Sequence, residues 1–216
     1  NIDHWLPEFR TENDLNLDRP KPLVSIWFGN QSRIAAHFDF ANNIACAVAG
    51  KREFILFPPE QINNLYIGPL DFTPAGQPVS MVNFADPDFS AFPKFQTALD
   101  NAQSAQLNPG DAIYIPSMWW HHVEAMDPFN ILVNYWWRNS PEYLGPPLGA
   151  LQHAILALRD LPTEQRAIWR DLFNHYVFEA TDDKFSHIPQ NARGILNPIN
   201  AEAAKNLRTN LSRYLT

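Results

Sequence analysis

Residues up to about 140 alternate short apolar runs with turn-forming stretches. The runs are LVSIWFG, NIACAVAG, EFILFPP, AIYIP, WWHHVEAM and NILVNYWW, and segments such as TPAG, NPGD and MDPFN separate them. Short runs rich in β-branched and aromatic residues, bounded by Gly, Pro, Asn and Asp, are typical of β-strands. One helix is predicted among them, from about Pro93 to Ala102. We expect a mainly β region that forms a barrel or a double-sheet jelly roll, because closure removes exposed strand edges.

After residue 140 the apolar positions change to helical spacing. The residues that recur three and four apart are Leu148, Leu151, Ile155 and Leu158, and then Ile168, Leu172 and Tyr176. This spacing predicts amphipathic helices, and a last one is predicted from about Asn200 to the end. We therefore divide the chain into a β domain, residues 1–140, and a C-terminal helical region, residues 141–216. The apolar stripes of these helices predict a homodimer through residues 141–216, and the alternative is that the helices coat one sheet.

Composition and charge narrow the class of protein. The chain has 216 residues, 45% of them hydrophobic and 13% aromatic, which is typical of a globular protein with a substantial core. A net charge of -7 argues against a nucleic acid or an anionic membrane as partner. The sequence has no run of about 18 apolar residues and only one cysteine, Cys46. We expect a cytoplasmic protein without an internal disulfide.

The stretch IAAHFDFANNIACAV places His37 and Asp39 two positions apart in an apolar run. In an extended strand these side chains point to the same face, and burying both is costly without compensation. The compensation is either a metal ion or an Asp–His hydrogen bond. A second strand, in SMWWHHVEAM, carries His121, whose neighbour His122 is predicted to face the other way.

If the barrel brings these two strands together, two imidazoles and one carboxylate lie on one face of a cavity. Two histidines and a carboxylate, with open positions left on the metal, form the ligand set of non-haem Fe(II) oxygenases. Zinc also accepts these ligands, so the residue types alone leave the metal open.

Four segments in this order, HFD, GKREFILFPPEQ, NPGDAIYIPSMWWHHVEA and ILVNYWW, resemble the Jumonji-C (JmjC) branch of the cupin superfamily. They are most similar to the cupin-like group that includes the asparaginyl hydroxylase of hypoxia-inducible factor, and the resemblance covers about residues 23–138. It implies a double-stranded β-helix that holds Fe(II), with 2-oxoglutarate as co-substrate and dioxygen as oxidant. It also implies that His37, Asp39 and His121 are the metal ligands and the catalytic centre.

The same resemblance implies the residues that bind 2-oxoglutarate. Arg52 stands 15 positions after His37, where the family has a basic residue that pairs with the far carboxylate and where related enzymes have lysine. Asn43 and Asn134 match asparagines that contact the co-substrate or the metal environment. Trp136 is predicted to lie on the same strand face as Asn134. Ile34 replaces a hydroxyl residue of related enzymes.

Three functions follow as hypotheses. The first is an Fe(II)- and 2-oxoglutarate-dependent dioxygenase that hydroxylates a protein side chain or a small molecule. The alternative is a non-catalytic metal-binding cupin that has lost 2-oxoglutarate turnover through Ile34 and Arg52. The third, a zinc hydrolase, needs a nearby general base, and Glu124 is predicted to point to the opposite strand face from His121.

Two further features bear on a substrate site. The segment 66–92 is rich in Pro, Asp and Phe, and it is predicted to be a lid, a substrate groove or a packed surface excursion. The aromatic residues that are candidates for lining the cavity are Trp119, Trp120, Tyr135, Trp136 and Trp137.

Overall fold

The computed structural model describes residues 2–15, 17 and 21–214. The chain divides into two compact units, residues 1–139 and residues 140–216. The strands, all in the first unit, are β1 (Leu23–Gly29), β2 (Ser32–Phe38), β3 (Asn42–Ala49), β4 (Arg52–Phe57), β5 (Gln103–Leu107), β6 (Ala112–Ile115), β7 (Trp120–Ala125) and β8 (Asn130–Trp137). The helices of this unit are α1 (Ile2–Trp5), α2 (Phe9–Glu12) and α3 (Phe95–Asp100).

The strands form two antiparallel four-stranded sheets. One has the order β1-β8-β3-β6 and the other the order β2-β7-β4-β5. Strands that follow one another in sequence therefore often lie in different sheets, and the chain crosses between the sheets, for example from β2 to β3. This is the double-stranded β-helix, or jelly roll, and the predicted fold class is confirmed.

Alternate strand positions from both sheets form the core between them. Its members are Ala45, Ala47, Phe54, Leu56, Leu107, Ile115, Val123 and Leu132. Because side chains alternate across a strand, the residues between these face outward. Burying one large apolar side chain contributes about 1.5–3 kcal/mol, so this inner face specifies the register of the strands.

The segment between β4 and β5 covers the outer face of the sheet β2-β7-β4-β5. Its residues Leu65, Val82 and Phe95 are buried there against Phe57 and Trp120. Segment 66–92 therefore includes residues that pack on the outside of this sheet, as the packed-excursion alternative predicts. The helix predicted over 93–102 is present, although it spans only Phe95–Asp100.

The outer face of the other sheet packs against the N-terminal helices. Ile2 of α1 is buried against Val24, Val133 and Tyr135. The Tyr135 hydroxyl donates a hydrogen bond of 2.7 Å to the carbonyl oxygen of Asn13. These contacts fix β1 and β8 from outside the barrel.

The second unit is helical, as the spacing predicts. Its helices are α4 (Leu148–Leu158), α5 (Thr163–Phe173) and α6 (Ala201–Ser212), and a π-helical turn, Asn174–Phe178, continues α5. Asn200 caps α6, because its Oδ1 accepts a hydrogen bond of 2.8 Å from the Ala203 amide. The last two residues of the helix predicted from Asn200 lie outside the described residues.

Most apolar side chains of the second unit are exposed. Within the described residues, α4 and α5 contain no buried residue. Leu156, Ile168 and Phe178 are among the exposed large side chains of this unit. Across the described part of the chain, no helix has the length and apolar character needed to cross a membrane.

Candidate metal centre

The two histidine-bearing strands are neighbours in one sheet. β2 pairs with β7 in antiparallel register, and His37 lies directly opposite His121. The centroids of the two imidazole rings are 4.3 Å apart. The sheet therefore brings together two residues that are far apart in sequence.

A β-bulge in β2 sets which residues of this strand face the barrel interior. The register shifts between Ile34, which lies opposite Val123, and His37, which lies opposite His121. Strict alternation would put Ile34 and His37 on opposite faces, whereas Val123 and His121 share one face. The extra residue of the bulge places both Ile34 and His37 on the inner side.

Both imidazoles are held by the backbone two residues earlier in the chain. Nδ1 of His37 donates a hydrogen bond of 3.0 Å to the carbonyl oxygen of Ala35. Nδ1 of His121 donates one of 3.0 Å to the carbonyl oxygen of Trp119. With Nδ1 protonated, the lone pair of each neutral ring lies on Nε2, the nitrogen that remains free to bind a metal.

Asp39 completes the group from the connector that follows β2. Its Oδ2 lies 3.9 Å from Nε2 of His121. Ligand atoms of His37, Asp39 and His121 all lie within 4.8 Å of one another. No hydrogen bond joins the three side chains among the described residues, so the arrangement fits a shared metal ion better than an Asp–His hydrogen bond.

The environment keeps His121 neutral. Burial and, to a smaller extent, the nearby His37 lower the pKa of His121 to about 4, while the Trp119 carbonyl and the Asp39 carboxylate oppose the shift. An imidazole that stays unprotonated at neutral pH offers its lone pair to a metal without first losing a proton. The 3.9 Å approach to Asp39 is therefore not an ion pair at neutral pH.

Arg52 lies on the inner side of β4. It shares a strand face with Phe54 and Leu56, its exposed fraction is 5%, and burial lowers the pKa of its guanidinium. None of the ion pairs among the described residues involves Arg52, and its buried Nε has no hydrogen-bond partner there. A buried cation without a counter-charge is costly, which marks the interior as a place for an anion.

The other predicted contacts lie on the sheet β1-β8-β3-β6. Asn134 donates a hydrogen bond of 2.9 Å from Nδ2 to Oδ1 of Asn43, and both side chains are buried. Trp136 lies opposite Asn43 in the register of β3 and β8. Its indole nitrogen is a buried donor with no partner in the described part of the chain. These residues supply polar groups on the inner side of this sheet.

Three of the aromatic residues considered as lining point away from the interior. Trp120 is buried on the outer face of its sheet, and Tyr135 packs against α1. Trp137 stacks on Tyr114 with ring centroids 6.0 Å apart. Trp119 packs on the inner core, and Trp136 shares the inner face of Asn134. Because side chains alternate along a strand, the neighbours of these two residues point outward.

Two further residues of β7 face outward, as predicted. His122 stacks on Phe84 with ring centroids 4.3 Å apart. Glu124 forms an ion pair of 3.0 Å with Arg33. Glu124 is therefore not placed to act as a base beside His121, and the zinc-hydrolase hypothesis loses its general base.

A set of polar contacts near Asp39 was not predicted from the sequence. Asn42 accepts hydrogen bonds from the Tyr114 hydroxyl, at 2.8 Å, and from the Ser117 amide, at 3.2 Å. The one feature of the sequence that indicates these contacts is the pair of adjacent asparagines at the start of β3. Because side chains alternate along a strand, one of the two must face away from the interior and bind other partners.

Comparisons with known proteins agree with this fold. The cupin-like domain family matches residues 1–143. Lysine-specific demethylase JMJ31 of Arabidopsis thaliana is 31% identical over 127 residues, which are 56% of this chain and 23% of that protein. HSPB1-associated protein 1 of Homo sapiens is 26% identical over 180 residues, 82% of this chain and 31% of that protein.

tRNA wybutosine-synthesizing protein 5 of Danio rerio is 30% identical over 105 residues, 49% of this chain and 29% of that protein. The chain thus spans less than a third of the length of each of these curated relatives. The family match covers well over half of the chain and includes both sheets and the three candidate ligands. The chain belongs to the JmjC-type cupin-like family.

Proposed function

We propose that this protein is an Fe(II)- and 2-oxoglutarate-dependent dioxygenase that hydroxylates a protein side chain or a small molecule. The observation that carries the proposal is the convergence of His37, Asp39 and His121 inside a barrel that also buries the unpaired cation Arg52. Family membership adds support, because relatives of this type include a protein named as a demethylase.

The donor set fits iron. Two neutral imidazole nitrogens and one carboxylate oxygen form the facial triad of non-haem Fe(II) oxygenases, which leaves positions open for co-substrate and oxidant. His37 and His121 would each bind through Nε2, since their Nδ1 atoms are committed to backbone carbonyls. Asp39 would supply the carboxylate.

The position of Arg52 fits a dicarboxylate. It lies four residues along β4 from Leu56, the partner of His121, which is roughly 13 Å of strand. A long arginine side chain together with a five-carbon diacid can span that gap, with one carboxylate at the metal and the other at the guanidinium. Arginine binds carboxylates bidentately, so the replacement of lysine is compatible with the same co-substrate.

When bound, Fe(II) and 2-oxoglutarate supply the activation of dioxygen that places an oxygen atom on a C–H bond of the substrate. The chain's own residues would bind and orient the metal and the co-substrate. The triad fixes the reaction centre, and Arg52 neutralises the far carboxylate. Asn43 and Asn134 bond to each other through Oδ1 and Nδ2, so Nδ2 of Asn43 and Oδ1 of Asn134 are left to contact the co-substrate. Trp136 offers its indole N–H.

The charge of the chain and the names of its relatives bear on the class of substrate. A net charge of -7 favours a basic substrate over an acidic one. The names of the relatives point to different substrates, since one is a lysine-specific demethylase and another a tRNA wybutosine-synthesizing protein. We therefore propose that the oxidised group is a C–H bond on a protein side chain or a small molecule.

The direct test is conversion of 2-oxoglutarate to succinate by the purified protein with Fe(II) and a reductant. Wild-type protein should form succinate, and His37→Ala and Asp39→Ala should each lose the activity. His122→Phe is the matched control, because this histidine faces outward and packs on Phe84. Metal binding without succinate formation would favour the non-catalytic cupin instead. Equal rates in wild type and in the triad variants would contradict both the site and the activity.

We also propose that the helical unit associates with a second copy. The supporting observation is that Leu156 and Ile168 are exposed on helices that bury nothing in the described residues. Sedimentation equilibrium should give a dimer, and Ile168→Glu should give a monomer. A monomer at every concentration of the wild-type protein would contradict this.

A further inference from the structure

Asp39 differs from the other two candidate ligands in how it is held. His37 and His121 belong to paired strands, so the sheet register fixes their backbones. Asp39 lies beyond the end of β2, in the connector 39–41 by which the chain crosses to β3 in the other sheet. Its position therefore depends on hydrogen bonds outside the ladders.

Those hydrogen bonds come from the segment just before β7. The Met118 amide donates one of 2.9 Å to the carbonyl oxygen of Asp39. The Ser117 hydroxyl donates one of 3.0 Å to the carbonyl oxygen of Phe40. Met118 takes a left-handed backbone conformation with φ 68°, which a non-glycine residue adopts only when its surroundings impose it.

Asn42 contacts the residue that precedes Met118. Its side chain is buried, with an exposed fraction of 7%. Its Oδ1 accepts hydrogen bonds from the Ser117 amide and from the Tyr114 hydroxyl at the end of β6. One buried oxygen at the start of β3 thus holds the segment that in turn holds Asp39 and Phe40.

We propose that Asn42 is a positioning residue for the metal centre. It fixes residues 117 and 118 against the connector 39–41, so that the Asp39 carboxylate stays beside His121. This inference rests on the proposed function, because it requires that His37, Asp39 and His121 hold a metal. Asn42 itself touches neither metal nor substrate.

The test uses Co(II) as a spectroscopic probe of the full chain, together with amide hydrogen exchange at Met118 in the metal-free protein. Asn42→Ala should weaken Co(II) binding by about tenfold, in the range found when a supporting partner of a metal ligand is lost. It should also change the visible Co(II) spectrum and speed exchange of the Met118 amide. Asn42→Asp keeps the acceptor oxygen and should restore all three properties. Tyr114→Phe removes only one donor and should leave the affinity near the wild-type value.

Wild-type affinity, spectrum and exchange in Asn42→Ala would overturn the proposal. If Asn42→Ala does not fold, Asn42→Leu keeps a side chain of similar size without the acceptor oxygen and should give the same loss of affinity with faster Met118 exchange. Unchanged values in that variant would overturn the proposal equally. If the wild-type protein binds no Co(II), the proposed metal centre fails, and the Met118 exchange rates alone decide whether Asn42 holds the connector.

Discussion

His37 and His121 lie opposite one another across two paired strands, and each donates its Nδ1 proton to the carbonyl two residues earlier in the chain. This shared arrangement fixes both rings and leaves both Nε2 atoms free. The pair is therefore ordered before a metal arrives, which reduces the entropy lost on binding.

The first prediction concerns stabilisation by metal. A ligand that binds only the folded state adds about 2.7 kcal/mol to the free energy of unfolding at 100 times its Kd. Thermal unfolding with and without Co(II) should show this gain in the wild-type protein and in His122→Phe. His121→Ala should lose it. The same gain in His121→Ala would mean that the metal binds elsewhere.

The second prediction concerns Arg52 as a buried cation without a partner. In the ligand-free protein, Arg52→Met should raise the free energy of unfolding by about 1–3 kcal/mol, because an apolar side chain replaces an uncompensated charge. The same variant should lose the stabilisation that 2-oxoglutarate gives to the metal-loaded protein. Urea unfolding of the two proteins measures both effects. A destabilised Arg52→Met would show that the guanidinium has a structural partner.

The third prediction is a pH dependence of the metal-free protein. Burial and His37 lower the pKa of His121 from 6.5 to about 4. Between these values the unfolded chain binds the proton and the folded chain does not, so stability increases with pH across this window. The contribution of neutral His121 to the free energy of unfolding should be fully present above pH 6.5. It should fall by about 1.4 kcal/mol per pH unit as the pH drops towards 4.

Burial also lowers the pKa of His122, so that residue adds to the same slope. Chemical unfolding at a series of pH values, with a chelator present, should show a shallower dependence in His121→Gln than in the wild-type protein. Identical slopes in the two proteins would contradict the burial of a neutral His121.

The fourth prediction concerns the turn between β3 and β4. Gly50 has φ 72°, and a Cβ there would overlap the Asn130 side chain and the carbonyl oxygen of Phe129. Gly50→Ala should destabilise the protein by about 2–4 kcal/mol. Gly76→Ala is the control, because Gly76 has φ 88° and nothing near its Cβ position, so only the backbone strain of about 1–2 kcal/mol applies. Equal melting temperatures for the two variants would be the contrary result.

The sequence was sufficient to predict the class of fold and the identity of the converging side chains. Alternation of apolar residues marks strands, and the HFD and WWHH segments mark their polar exceptions. Alternation could not show the bulge between Ile34 and His37, because a bulge depends on pairing with β7. It also could not separate inner from outer aromatic residues, since Trp119 and Trp120 differ only in the face that the register gives them.

Contacts between distant segments were equally hidden. His122 packs on Phe84 from the segment between β4 and β5, and Asn42 binds the segment before β7. Each contact follows from the crossing of the chain between sheets rather than from local spacing. The residues that hold Asp39 in place therefore emerged only from the folded structure.

The most direct test of the account is an anaerobic titration of the Fe(II)-loaded protein with 2-oxoglutarate. If the triad holds iron and Arg52 holds the far carboxylate, a metal-to-ligand charge-transfer band should appear and saturate at one co-substrate per chain, and Arg52→Met should require much more co-substrate. An iron-loaded wild-type protein that gives no such band would contradict the oxygenase assignment.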